Sequence, residues 1–190
     1  YRAEWMRFTA TLGQGAKGDG GEDDRNLYRR VAKALAELTG SPGALLMLPT
    51  AAGSFGVAEQ WHWPVDVASD DATLPLRSAF MLQETRHIVD LESEDLAMPD
   101  WLLSDPRAWV VVPILHFQRM IAVVVLHRPP VSRALDWEDL DVLRIAGQQA
   151  ASYLAESQSQ EALSEARRFD EFNRRFAFIM HDIKNLASQI

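Results

Sequence analysis

The 190-residue sequence contains no cysteine. Disulfides, thiolate metal sites, a cysteine nucleophile and thioether-linked chromophores are therefore excluded. Long apolar runs are also lacking. The longest, at 109–115 and 121–126, fall far short of the roughly 20 residues a membrane helix needs. Nor is there a surplus of positive charge. Nineteen Lys and Arg against 27 Asp and Glu leave a formal charge of −8, so nucleic acid is not an expected partner. No starting Met and no signal-peptide pattern stand at Tyr1, and the chain is expected to be a piece of something longer. What is present, 47% hydrophobic and 24% charged residues, is the make-up of a folded globular chain.

Glycine and proline divide the chain. Five glycines fall at 13–21, which reads as a flexible linker. Before it, Trp5, Phe8 and Leu12 recur at helical spacing, like the tail of an incoming helix. Beyond Pro130 there is no proline and a single glycine, Gly147. Sixty residues rich in Ala, Leu, Glu, Gln and Arg then predict one long helix. Asp136 suits its N-cap and Asp139 the N3 position, with Leu135 and Leu140 placed for a hydrophobic staple. From Trp137 to Ile190 such a helix would run about 80 Å at ~1.5 Å per residue, so its second half is expected to project and find a partner.

The interval between linker and long helix carries the globular signals. Leu27, Val31, Leu35 and Leu38 form an amphipathic helix stopped by Gly40. Residues 44–48 and 55–63 read as strands joined by a turn at 49–53. A short helix at 76–82, a strand at 87–91 and a polar loop at 92–104 follow. Val- and Ile-rich runs at 109–115 and 121–126 make the clearest hairpin. The fold class is α+β, an antiparallel sheet covered by helices.

This order of elements, with the strand through Val110, Pro113 and Leu115, the strand from Ile121, and Asp136-Trp137-Glu138-Asp139 leading into Leu140, Leu143 and Ala146, resembles a GAF domain over residues 24–155. GAF hairpins often place a glycine in the turn before the last strand; Gln118-Arg119-Met120 stands there instead. The resemblance implies a sensory domain. Its ligand is unknown, since the family includes binders of cyclic nucleotides, tetrapyrroles and small metabolites as well as members with no known ligand.

Chemistry concentrates at the C-terminus. Phe169, Phe172, Phe176, Ile179, Ile183, Leu186 and Ile190 alternate steps of three and four, the seam of a coiled coil or bundle. His181 lies two residues from both Ile179 and Ile183. Two steps rotate by ~200°, so its ring is expected to face away from the seam. Asn185 shares its face and Asp182 flanks it. A neutral imidazole nitrogen is a competent nucleophile toward phosphorus, a carboxylate can orient the ring proton, and an amide can position water.

The arrangement is similar to the H-box of two-component sensor histidine kinases, of the His-acid-x-x-Asn type. The resemblance makes His181 the phosphoacceptor, Asp182 an aid to phosphoryl transfer, and Asn185 a participant in the reverse, phosphatase-type reaction. Many members carry Glu after the histidine and Pro after the Asn or Thr; Asp182 and Leu186 stand there, so no proline kink is expected.

A GAF-like domain feeding an unbroken helix into this motif resembles the sensor kinase linked to PEP-CTERM and exopolysaccharide systems in Gram-negative bacteria. That resemblance implies a division into 1–23 (incoming helix and linker), 24–155 (sensor) and 156–190 (signalling helix and truncated phosphoacceptor domain). It implies a parent with a membrane region before the GAF domain and an ATP- and magnesium-binding domain after the H-box, hence a cytoplasmic fragment of an inner-membrane protein. The fragment alone would be inactive. Expected partners are a second copy, paired through the long helix, and a response-regulator receiver domain. The competing reading is a ligand-binding, dimerising GAF module that controls a different effector.

Other signals have plainer readings. Gly13-Gln14-Gly15-Ala16-Lys17-Gly18 spells a dinucleotide-type GxGxxG but lacks the strand before it and the helix opening at its last glycine. His62 between Trp61 and Trp63 reads as strand-end packing. His87, His116 and His127 are scattered single histidines rather than metal or haem ligands. Arg167, Arg168, Arg174 and Arg175 interleave with Glu165, Asp170 and Glu171, a salt-bridged helix surface. The polar interval 156–165 reads as a solvated helix face or as a weak seam where register could change.

Overall fold

The computed structural model describes residues 2–13, 20–63, 72–92, 97–131 and 135–187. Its elements are α1 (Arg2–Gly13), α2 (Gly20–Thr39), β1 (Ala44–Pro49), β2 (Phe55–Trp61), β3 (Thr73–Leu74), α3 (Leu76–Thr85), β4 (Val89–Asp90), α4 (Asp100–Leu103), β5 (Ala108–His116), β6 (Arg119–His127) and α5 (Trp137–Ala187). They form two compact units, Tyr1–Ala155 and Glu156–Ile190.

The first unit is built on an antiparallel six-stranded sheet in the order β3-β2-β1-β6-β5-β4. The expected α+β class with a long C-terminal helix is what the structure has. Each central strand is apolar on both faces because each face is covered. Leu46, Val112, Ile114, Ala122 and Val124 face a core shared with α1, α2 and α5. Leu45, Met47, Val111, Val123 and Val125 face a second core, closed by Leu82 of α3 and Leu102 of α4. A side chain of this size contributes about 1.5–3 kcal/mol when fully buried.

Bulges explain where alternation fails in β2 and β5. Leu46 pairs with Glu59 and Met47 with Val57, so Ala58 is the extra residue. Phe55 and Val57 therefore pack into one core and Trp61 into the other. In β5 the pairing skips Trp109, between Ala108 and Val110, and Trp109 and Val110 then share the face covered by α1, α2 and α5.

Local signals place the helix ends. Gly40 has φ +69°, and the Gly40 and Ser41 N–H groups donate to the carbonyls of Glu37 (3.4 Å) and Ala36 (2.9 Å), satisfying the end of α2. At the start of α5 the Asp139 N–H donates to Asp136 Oδ1 at 2.8 Å, and the Asp136 N–H to Asp139 Oδ2 at 3.3 Å. That reciprocal pair satisfies two orphan donors, as the spacing of the two acids predicts. Leu143, Ala146, Ala150, Ala151 and Leu154 then bury one face of α5. At Gly147 a Cβ would meet Ile114 Cδ1 at 3.5 Å, an ordinary van der Waals contact, so the packing there does not demand glycine.

Several elements differ from expectation. Phe8 and Leu12 of α1 are buried in the same core as α2. Gly13 ends α1 and Gly20 opens α2, so both ends of the expected linker are helical; 14–19 lie outside the described residues. The 92–104 loop contains helix α4, one turn long, because Trp101 and Leu102 pack on the second core. β4 is two residues rather than five, and α3 extends to Thr85. The short strand β3 carries no sequence pattern of its own.

Candidate functional site

The three H-box residues lie in the second unit, near the end of α5. His181, Asp182 and Asn185 are exposed; the imidazole side chain retains 70% of its accessible surface. Asn185 Nδ2 lies 3.1 Å from His181 Nδ1. Asp182 Oδ1 lies 3.8 Å from the same nitrogen. Both neighbours thus address Nδ1, leaving Nε2 toward solvent. Helical spacing accounts for the closer contact: residues four apart stack on one face.

The apolar stripe occupies the other side. At ~100° per residue, Phe169, Phe172, Phe176, Ile179 and Ile183 cluster within one narrow arc, and His181 and Asn185 fall roughly opposite. Every one of the five is more than half exposed within a single chain. Phe172 and Phe176 stack on each other with ring centroids 6.3 Å apart. Leu186 and Ile190 belong to the same expected stripe, but their side chains lie outside the described residues. Arg167, Arg168, Arg174 and Arg175 are exposed alongside the interleaved acids.

In the first unit several polar groups are paired within the fold. Arg107 holds Asp105 with Nε–Oδ1 at 2.7 Å and Nη2–Oδ2 at 2.9 Å. Burial by itself would raise the Asp105 pKa; the Arg107 hydrogen bonds and charge override it and hold the carboxyl below its ordinary value. The Trp63 indole N–H is close enough to assist, though it makes no hydrogen bond of normal geometry. Trp61 stacks on His62 at 4.3 Å, as strand-end packing predicts. His127 Nδ1–H donates to the Arg128 carbonyl at 2.9 Å, and its ring meets Trp63 edge-on. Among the described residues no group of His, Asp or Glu is placed to hold a metal ion. Gly13 closes a helix instead of following a strand, and the rest of the GxGxxG run, 14–18, lies outside the described residues.

Sequence reasoning missed Gln83. Phe117 and Gln118 form the β5–β6 turn with φ 44° and 68°, both in the left-handed region usually taken by Gly or Asn. Gln83 Nε2 donates to the Gln118 carbonyl at 2.6 Å, and its Oε1 accepts from the Met120 N–H at 2.6 Å. These bonds tie α3 to the turn and offset its strain; nothing in the spacing of Gln83 signals them.

A profile of the GAF domain matches residues 24–154, and the chain belongs to the GAF family. No curated protein matches it significantly. Among solved structures it is similar to the GAF domain of a phosphoenolpyruvate-protein phosphotransferase from Coxiella burnetii. There identity is 11% and the TM-score 0.64, over 85% of this chain and 96% of that one. The GAF-B domain of DevS from Mycobacterium smegmatis aligns with 20% identity and a TM-score of 0.55, over 72% and 96%. A bacteriophytochrome from R. palustris aligns with 13% identity and a TM-score of 0.59, over 92% of this chain but 41% of that one. At these identities the likeness establishes the fold. Among the described residues no helix is long and apolar enough to cross a membrane.

Proposed function

We propose that this chain is the sensory and phosphoacceptor portion of a two-component sensor histidine kinase. GAF domains serve signalling proteins, and here one leads into α5. The observation that carries the reading is the placement of His181, exposed, with Asn185 and Asp182 converging on Nδ1, across the helix from an apolar stripe.

In this reading the parent transfers the γ-phosphoryl of ATP to His181 and then to an aspartate of a response-regulator receiver domain. The described residues do not fit a magnesium–ATP site: no carboxylate or histidine cluster is present among them to hold the ion. Both would belong to a separate catalytic domain of the parent. A second copy pairing through the stripe would form the bundle that presents His181, and membrane attachment would come from segments of the parent other than these. Asp182 would assist transfer and Asn185 the phosphatase-type reversal.

The test is labelling of the full-length parent with [γ-³²P]ATP. Acid-labile, base-stable label that disappears in His181→Gln supports the proposal; label retained by that variant rejects it. The second reading, a ligand-binding GAF module controlling another effector, rests on the family match over residues 24–154. It gains ground if the parent takes no label.

A further inference from the structure

A neutral imidazole carries one ring proton, on Nδ1 or on Nε2, and only the unprotonated nitrogen has a lone pair for attack. In this structure two side chains compete for Nδ1 of His181, and they require opposite tautomers. The Asn185 amide nitrogen, at 3.1 Å, can only donate, so Nδ1 must accept and the proton sits on Nε2. The Asp182 carboxylate, at 3.8 Å, can only accept, so its hydrogen bond needs the proton on Nδ1. The first distance is a hydrogen bond and the second is not.

We propose that Asn185 holds His181 in a resting tautomer with its solvent-facing nitrogen protonated, and that Asp182 arms the ring by displacing Asn185 from Nδ1. The change is small. The carboxylate closes by somewhat under ~1 Å to reach hydrogen-bond distance, and the amide swings into water. Protons balance: one leaves Nε2 to solvent while another is taken from solvent at Nδ1, and the ring stays neutral throughout. The high exposure of the imidazole supplies the water for this exchange. The armed ring then offers the Nε2 lone pair on the side away from both neighbours. The inference deepens the phosphoacceptor reading and rests on it for its meaning, but the competition at Nδ1 stands on geometry alone. Asn185 is here a positioning residue, distinct from the water-positioning role that the resemblance gives it.

The experiment is ¹⁵N NMR of the imidazoles in the 190-residue chain, at a pH that leaves them neutral, with the His181 signals assigned by their loss in His181→Gln. The double variant Asp182→Asn, Asn185→Ala has neither the carboxylate nor the amide at 185, and sets the reference tautomer ratio. The wild-type chain is expected to exceed that reference in its Nε2–H share. Asn185→Ala, which frees Asp182 to act, is expected to fall below it. Each shift is expected to be about three- to tenfold in the tautomer ratio, the worth of one hydrogen bond. Ala preserves the helix, which circular dichroism checks. A wild-type ring protonated mainly on Nδ1, as an amide turned end for end would produce, overturns the proposal, and so does an Asn185→Ala ratio equal to the wild type's. If the parent is not phosphorylated at His181 while these shifts occur, the kinase reading falls and the competition stands.

Discussion

The amide nitrogen of Asn185 lies 3.1 Å from Nδ1 of His181, one helical turn back, closer than the carboxylate of the adjacent Asp182. The pair gives Asn185 a hold on the ring before any reaction, and under the proposed function its amide would also serve water at the phosphorylated state. In the full-length parent, Asn185→Ala is therefore expected to autophosphorylate at least as fast as wild type. Its dephosphorylation should slow on the order of ten- to a hundredfold. Time courses of label gained from ATP and lost on chase separate the two. Equal loss of both removes the assignment.

The exposed stripe predicts self-association. Phe172 and Phe176 stack with each other, yet each stays more than half exposed within one chain. Two copies pairing there would bury both rings, each worth about 2 kcal/mol or more. Sedimentation equilibrium of the chain should give a dimer or larger species. A Phe172→Ser, Phe176→Ser variant should shift it strongly toward monomer, with the spectrum of the sheet unchanged. A wild-type monomer at high concentration contradicts the pairing.

Gly43 sits where β1 begins, hard against the end of β2. An added Cβ would lie 2.7 Å from the His62 carbonyl oxygen, which is backbone and cannot swing aside. His62 itself has φ 51°, so the local path is already fixed. Gly43→Ala is expected to cost about 1–3 kcal/mol, measured as a lower urea midpoint at an unchanged slope.

Asp105 gives the sensor unit a pH dependence. Its folded-state pKa is depressed, chiefly by Arg107 acting against the opposing effect of burial. A depressed carboxylate adds stability that is fully present above the unfolded-state pKa and is lost as pH falls through the folded value. Thermal midpoints of the wild type should therefore drop between neutral pH and strongly acidic pH. In Asp105→Asn the midpoint at neutral pH should be lower and the acid drop shallower. Parallel curves would show that the pair contributes no pH-dependent stability.

Most of the fold is legible wherever one residue pattern answers to one physical demand. The Val-rich runs announce β5 and β6 because both faces of those strands are buried. Gly40 announces the end of α2, and Asp136 with Asp139 the start of α5, because orphan backbone groups demand those side chains. Strand β2 is faint because the bulge at Ala58 switches its inward face midway. The turn at Phe117 and Gln118 gives no signal because its strain is offset from α3, 34 residues upstream of Phe117 at Gln83, rather than by a local glycine. At the candidate site, helical spacing places His181 and Asn185 on one face. That both neighbours converge on a single ring nitrogen depends on side-chain torsions, which spacing does not encode.

Under the proposed function His181 faces water while the opposite side of its helix is covered by a second copy. The absence of cysteine makes this directly measurable with single-cysteine variants. Ile179→Cys and Ile183→Cys, on the stripe, should form disulfide-linked dimers rapidly under mild oxidation. His181→Cys and Asn185→Cys should cross-link slowly and react quickly with a water-soluble thiol reagent. Rapid cross-linking at 181 and 185, with 179 and 183 freely labelled, would put the imidazole in the interface and contradict the account.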